Sequence, residues 1–265
     1  MKDSGIKISG LSLKLNGKRI LSDISFKVEQ GEFFCVIGRN GAGKSTLLKC
    51  ICGIMGGYEG EINIRGRRSA GMPARDRSRL VAYVPQGSRS DVPYTVRDFL
   101  ELSRYPWRGV SSKTNDAREV AEAMDMTGTA AFADRRLSSL SGGERQKVMI
   151  ASAIAQGTDA ILMDEPTTYL DYAHQMETMD MMTRVNSLRG VSMIIVTHDI
   201  NLAAELSGAS GTVAAMSAGR IEWMGPPSGL FDADRLNGIF GVPFRRYRAD
   251  TPGGRQILAP ERTVL

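Results

Sequence analysis

The chain has 265 residues, of which 42% are hydrophobic and 24% charged; that length and balance suit one large α/β domain or two small ones and exclude a mainly disordered chain. Lys and Arg number 34 against 29 Asp and Glu, a net charge of +5, which permits an anionic partner such as nucleotide, nucleic acid or a membrane surface without choosing among them. No apolar run is long enough to span a membrane, because Gln156, Thr158 and Asp159 interrupt the best candidate, Ile150 to Met163.

Met1 to Gly10 carries Lys2, Asp3 and Lys7 and no apolar stretch, so it does not read as a secretory signal. Glu32 to Ile37 is a short apolar run leading into a Gly-rich turn, and Ser45 to Met55 reads as a helix with Leu47, Leu48, Ile51 and Ile54 on one side. Cys35, Cys50 and Cys52 stand among apolar neighbours and read as buried, reduced thiols; no second Cys/His pair completes a zinc site. Arg65, Arg67, Arg68, Arg75, Arg77 and Arg79 form the densest basic stretch, with few aromatics interleaved to stack bases, and read as a solvated face rather than a nucleic-acid groove.

From Pro93 to Gln156 the pattern turns helical. Thr95 with Asp98 three later starts one helix, Val120, Ala123 and Met124 mark another after Asn115, and Gly143 to Ala155 forms a third with Val148, Ala151, Ile154 and Ala155 inward. Ala160 to Met163 and Val191 to Val196 read as strands buried on both faces of a parallel sheet. Ligands in such sheets sit beyond the carboxyl ends of the strands, so Gly38 onward, Asp164 with Glu165, and His198 are expected to converge. From Gly241 the pattern weakens through Arg245-Arg246-Tyr247-Arg248 and Pro252-Gly253-Gly254, and the segment reads as a loosely packed tail.

Gly38-Arg39-Asn40-Gly41-Ala42-Gly43-Lys44-Ser45 fits G-x-x-x-x-G-K-[ST] in the strand-to-helix setting that the motif requires. Its glycines let successive backbone N–H groups turn inward around an anion, the helix points its positive end at phosphates, Lys44 places a cation beside the β and γ oxygens, and Ser45 offers a hydroxyl to Mg²⁺. Ile161 to Glu165 is an apolar strand ending in two adjacent carboxylates, which repel unless they serve different roles: Asp164 in the Mg²⁺ shell, Glu165 on the attacking water. Leu140-Ser141-Gly142-Gly143-Glu144-Arg145-Gln146 opens a helix as a second backbone anion site, pointing to a second nucleotide contact or to the same nucleotide reached from a partner chain.

Together these segments resemble the ATP-binding-cassette (ABC) ATPases over about residues 5 to 245. By that resemblance Gly38 to Ser45 is Walker A, Val84-Pro85-Gln86 the Q-loop, Leu140 to Gln146 the signature, Ile161 to Glu165 Walker B, Thr168 to Asp171 the D-loop and His198 the switch histidine; His174 matches no catalytic position and reads as a helix-surface or packing residue. The fold implied is an α/β P-loop NTPase with a mainly parallel core sheet, an N-terminal antiparallel β subdomain and an inserted helical subdomain. Its expected bounds are 1–92 and 157–240 for the nucleotide-binding core with the β subdomain, 93–156 for the helical subdomain and 241–265 for the tail. The nucleotide-binding residues implied are Gly38, Arg39, Asn40, Gly41, Ala42, Gly43, Lys44, Ser45, Thr46, Gln86 and Asp164. Lys44, Glu165 and His198 are the catalytic set, Ser45, Gln86 and Asp164 the Mg²⁺ set, and Ser141, Gly142, Gly143 and Asp171 act in trans on the ATP of a second copy.

Thr95-Val96 through Arg104-Tyr105-Pro106-Trp107, and Asp164 through Gln175, narrow the resemblance to importers of metal chelates: ferric siderophores, haem and cobalamin. That group implies a homodimer on the cytoplasmic face of the inner membrane, bound there to two integral-membrane permease subunits through about Gly87 to Trp107 and fed by a substrate-binding protein, with no nucleic acid. The chain departs from the group at Ser103, where Gly is usual, and at Leu15, where an aromatic that stacks on adenine is usual. Other cargoes such as molybdate or an amino acid leave the same motifs intact. A DNA-maintenance ATPase sharing the cassette is disfavoured, because the stretch from Lys44 to Ser141 carries no sustained heptad for a long coiled coil.

Overall fold

A computed structural model describes residues 5–87, 93–168, 170–208, 210–248 and 256–260. In chain order its elements are β1 (Ile6–Leu15), β2 (Lys18–Val28), β3 (Phe33–Ile37), α1 (Lys44–Ile51), β4 (Glu59–Ile64), β5 (Arg67–Arg68), α2 (Ala74–Arg77) and β6 (Val81–Val84). The inserted region contributes α3 (Val96–Leu102), α4 (Lys113–Thr127) and α5 (Gly142–Ala155). β7 (Ala160–Asp164), α6 (Tyr172–Arg189), β8 (Ser192–Thr197), α7 (Ile200–Ser207), β9 (Thr212–Ser217), β10 (Arg220–Gly225), α8 (Ala233–Phe240), β11 (Phe244–Arg248) and β12 (Gln256–Pro260) follow.

Alternation of buried and exposed residues along β1 and β2 is the period of a sheet with one face on the core. The two strands meet at Asn16 and Gly17, both at positive φ, the backbone that a two-residue hairpin needs. With β4 and β5 they form an antiparallel sheet in the order β2-β1-β4-β5. The core sheet runs β10-β9-β3-β8-β7-β6, parallel throughout except for the edge strand β10. β3, β7 and β8 are buried along their whole lengths, as a parallel sheet covered on both faces requires. On β3, Phe33, Cys35 and Ile37 face a core shared with the helices of the insertion and with α6 and α7, while Phe34 and Val36 face α1 and the antiparallel sheet. The carboxyl ends of β6, β7, β8 and β3 therefore lie side by side, carrying Gln86, Asp164, His198 and Gly38 into neighbouring loops.

Several sequence expectations need correction. α1 ends at Ile51 rather than Met55, because Gly53 takes φ +70° and the Arg77 guanidinium donates to the Cys52 and Gly53 carbonyls; Ile54 consequently lies 59% exposed instead of inward. Cys35 and Cys50 are buried, but Cys52 at that helix end is only half-buried; all three are free thiols, and burial pushes their pKa values up to about 12, 11 and 12. The basic stretch is solvated only in part. Arg67 and Arg68 are exposed, whereas Arg77 also donates to Ser69 and Met72 carbonyls, and Arg75 and Arg79 both donate to the Pro106 carbonyl, tying α2 to the insertion.

Where it is described, the segment after Gly241 keeps most of its side chains exposed but is paired and anchored rather than irregular. β11 pairs with β12, Leu258 is buried, and the Asn201 side chain both donates to the Leu258 carbonyl (2.9 Å) and accepts from its N–H (3.0 Å), fastening the hairpin to α7. Residues 249–255 and 261–265 of that segment lie outside the described residues, as do 1–4, 88–92, 169 and 209.

In the insertion, α3 starts on a Thr95/Asp98 capping box, and α4 starts on Ser112, three residues ahead of Asn115. Arg104 is buried at the junction of α3, α4 and α5: it pairs with Asp116 at 2.9 Å, donates to the Ala155 and Gln156 carbonyls and lies over the Trp107 ring, while the Trp107 indole N–H donates to Gln156. No helix among the described residues is long and apolar enough to cross a membrane.

Candidate functional site

β3 delivers the chain at Ile37 into a turn that only glycine can make. Gly38 has φ +152°, and a Cβ there would stand 2.1 Å from the Met216 carbonyl oxygen; at Gly43 (φ +99°) a Cβ would meet the Ile20 carbonyl at 2.9 Å. Gly41 also takes positive φ, and Ala42 is buried between them, accepting from Gly219 N–H. α1 begins at Gly43 with no side-chain cap and no acid in its first turn, which leaves its first N–H groups and its positive end available to an anion. Lys44, the first residue of α1, folds back over the turn and donates to the Gly38 (2.7 Å) and Arg39 (3.2 Å) carbonyls. Burial lowers its pKa, opposed by the Glu165 and Asp164 charges. Arg39, Asn40 and Gly41 are exposed and Thr46 is half-buried.

The two adjacent carboxylates part company. Asp164, the last residue of β7 and buried, accepts from Ser45 Oγ on one oxygen (2.9 Å) and from the Tyr83 hydroxyl on the other (3.2 Å). Glu165 leaves the strand at φ +52°, its N–H donating to the Val196 carbonyl, and this turn aims its side chain elsewhere. Oε2 accepts from Thr168 Oγ1 (3.0 Å) and lies 2.7 Å from His198 Nδ1; Oε1 lies 3.9 Å from Lys44 Nζ. His198 follows β8 by one residue and is largely exposed beyond its Nδ1 contact. The parallel sheet thus brings two hydrogen-bonded pairs to neighbouring strand ends, Ser45 with Asp164 and Glu165 with His198, with Lys44 paired to Glu165 at 3.9 Å and Gln86 exposed on the segment after β6.

Ser45 and Asp164 together offer hard oxygen donors, and no group of three or more His, Cys, Asp or Glu side chains occurs among the described residues. That donor set fits Mg²⁺ bound jointly by protein and phosphate oxygens and does not fit a zinc-type cage.

Ser141, Gly142, Gly143 and Asp171 form a second grouping. Ser141 caps α5 in a capping box with Glu144, whose carboxylate is held by Arg135 at 2.8 Å. Asp171 caps α6, accepting from the His174 N–H (2.9 Å) and lying 2.7 Å from its Nδ1; these contacts hold the Asp171 carboxyl below its usual pKa. The His174 ring packs on Gly143, where a Cβ would come within 2.7 Å of it, so this histidine joins the α6 start to the α5 start. The described contacts of these residues are with α5 and α6 and not with the turn at residues 38–46.

Sequence reasoning missed Tyr83 as a partner of Asp164. The signal lies in the sheet order: β6 pairs with β7 so that Tyr83 stands opposite Leu162, on the face that Asp164 shares two residues later. Leu15 ends β1 beside the Asn16–Gly17 turn, 36% exposed.

The ABC transporter family profile matches residues 21–168. Among curated relatives, a hemin import ATP-binding protein of Rhodococcus jostii is 32% identical, covering 96% of this chain and 85% of that protein. A second hemin import ATP-binding protein, of Streptomyces coelicolor, is 36% identical over 96% of this chain and 89% of its own length, and an iron(3+)-hydroxamate import ATP-binding protein of Bacillus subtilis is 34% identical over 88% and 86%. Among solved structures, a transporter described as of metal-chelate type, in an inward-facing conformation, superposes with a TM-score of 0.83 at 24% identity over 98% of both chains. A dimeric ATP-binding cassette in a post-hydrolysis state bound to ADP and phosphate gives 0.72 at 26% identity over 84% of this chain and 98% of that one.

Proposed function

The chain belongs to the ABC transporter family and is an ATPase whose hydrolysis is coupled to transport; from that premise we propose that it powers import of a metal chelate such as haem, a ferric siderophore or cobalamin. The observation that carries the hydrolytic half of this reading is the joining of Lys44, Ser45, Asp164, Glu165 and His198 at the carboxyl ends of β3, β7 and β8. Hemin and hydroxamate import proteins among the relatives support the cargo class.

In this reading the turn at residues 38–46 wraps the triphosphate of ATP with backbone N–H groups, and Lys44 exchanges its carbonyl partners for phosphate oxygens. Ser45 and Asp164, together with Gln86, would hold Mg²⁺, which when bound would neutralise phosphate charge. Water attacks the γ-phosphorus, the bond to the β-bridging oxygen breaks, and Glu165 takes the proton from the water. His198, hydrogen-bonded to Glu165 through Nδ1, keeps that carboxylate oriented and turns its exposed edge to the γ-phosphate. Ser141, Gly142, Gly143 and Asp171 complete the site of a second copy in a head-to-tail dimer; dimeric cassettes among the structural neighbours support the pairing of two copies.

The remaining partners follow from the insertion. Leu102, Tyr105 and Val110 expose apolar side chains beside a groove of about 840 Å³ between α3 and α4, and this face docks on two permease subunits at the cytoplasmic face of the inner membrane. Part of the expected docking segment, 88–92, lies outside the described residues. A substrate-binding protein acts through the permease. The domain bounds proposed for this division of labour are 92/93, 156/157 and 240/241.

The test is Glu165→Gln in the reconstituted importer. Replacing the base should cut phosphate release by about 10²- to 10⁴-fold while ATP still binds, and uptake of labelled haem, ferric hydroxamate or cobalamin should fall in step. Wild-type hydrolysis by Glu165→Gln refutes the base; hydrolysis without stimulated uptake of any of the three refutes the cargo class.

A further inference from the structure

Tyr83 is a polar residue on the apolar edge strand β6, half-buried against a core of aliphatic side chains. A phenol hydroxyl taken out of water needs a partner. Register supplies it: Tyr83 stands opposite Leu162, and its ring reaches along the shared face to Asp164 Oδ2 at 3.2 Å. Ser45 Oγ takes Oδ1 at 2.9 Å. Each carboxylate oxygen of Asp164 therefore has its own O–H donor, one from α1 and one from β6, and the carboxylate plane is fixed from two sides.

We propose that Tyr83 is a positioning residue for the divalent cation: by holding Asp164 Oδ2 it keeps Oδ1 turned toward Ser45, in the orientation that the metal and its water shell require. The inference rests on the reading of Ser45 and Asp164 as the metal-binding pair. It also gives β6 a second role, because the strand that carries Tyr83 continues directly into Val84-Pro85-Gln86. A shift of that segment is felt at Asp164 through one hydrogen bond, without contact between Gln86 and the carboxylate. Outer-shell partners of metal ligands commonly act in this way, and their loss costs about 10- to 100-fold in metal affinity.

Tyr83→Phe removes the hydroxyl and keeps the ring. The experiment titrates Mn²⁺ into the full-length protein with ATP and reads bound metal by electron paramagnetic resonance, alongside ATP affinity in EDTA and the melting temperature. Tyr83→Phe should weaken Mn²⁺ binding about tenfold and leave metal-free ATP affinity and the melting temperature close to wild type. A purely structural role predicts a drop in melting temperature with metal-free ATP affinity lost in parallel, and that result overturns the proposal. Wild-type Mn²⁺ affinity in Tyr83→Phe overturns it as well. Ser45→Ala and Asp164→Asn, run beside it, separate the two levels: if they weaken Mn²⁺ binding and Tyr83→Phe does not, only the positioning role falls; if none of the three does, the metal pair itself is misassigned.

Discussion

Arg104 is the residue whose loss the structure prices most directly. It is 5% exposed, yet its guanidinium has three partners on two other helices: the Asp116 carboxylate in the first turn of α4, and the Ala155 and Gln156 carbonyls at the end of α5. Arg104→Ala leaves two carbonyls and a carboxylate facing a cavity and removes the cation over Trp107. Removing one partner of a buried pair costs about 3–5 kcal/mol, and the partial exposure of Asp116, which lets water reach it, places the loss here near the lower end, about 3 kcal/mol. For a chain of this size each kcal/mol lowers the melting temperature by about 2–4 °C, so calorimetry of the nucleotide-free protein should give a fall of about 6–12 °C. Arg104→Lys should recover little, since one ammonium cannot reproduce the planar fork. ATP binding measured well below the transition should survive, because Arg104 has no contact with residues 38–46. A melting temperature within about 2 °C of wild type would refute the claim that Arg104 holds the three helices together.

Asn201→Ala removes both bonds between α7 and the Leu258 backbone; hydrogen exchange at the Leu258 amide should rise sharply while amides of β3 and β8 keep their protection, and unchanged exchange there would mean that packing of the Leu258 side chain alone holds the hairpin. Leu15→Tyr should tighten ATP by up to about tenfold, if roughly 1.4 kcal/mol of base stacking is recovered, with little change for bare triphosphate; equal affinities for ATP in the two proteins would place the adenine elsewhere.

What the sequence disclosed was mostly local. The turn at residues 38–45 is written in consecutive residues, Gly38 and Gly43 answering close contacts and Gly41 a positive φ, and the capping boxes at Thr95 and Ser141 need only four residues each. The convergence of Gly38, Asp164 and His198 was legible because a buried parallel sheet leaves one place for polar strand ends. Features set by strand neighbours were hidden. Tyr83 looks like an ordinary strand aromatic until β6 is known to lie beside β7. Phe244–Arg248 carries three arginines and no apolar alternation; its pairing with β12, and the docking of the hairpin through Asn201, come from partners far along the chain. The early end of α1 was hidden for the same reason, since the apolar period runs on through Ile54 while the residue that caps the helix is Arg77.

Glu165 is one of only a few residues other than glycine at positive φ among those described. A side chain with a Cβ pays roughly 1–2 kcal/mol to sit there, and Gly, Asn and Asp tolerate the region best. Conformation and chemistry therefore favour different residues at one codon. With Glu165 as the proposed base, the hydrolytic role requires a glutamate that the backbone does not favour, whereas Asn, Asp or Gly at 165 would relieve the turn and remove that base. One substitution at 165 would therefore trade the proposed chemistry for an easier backbone.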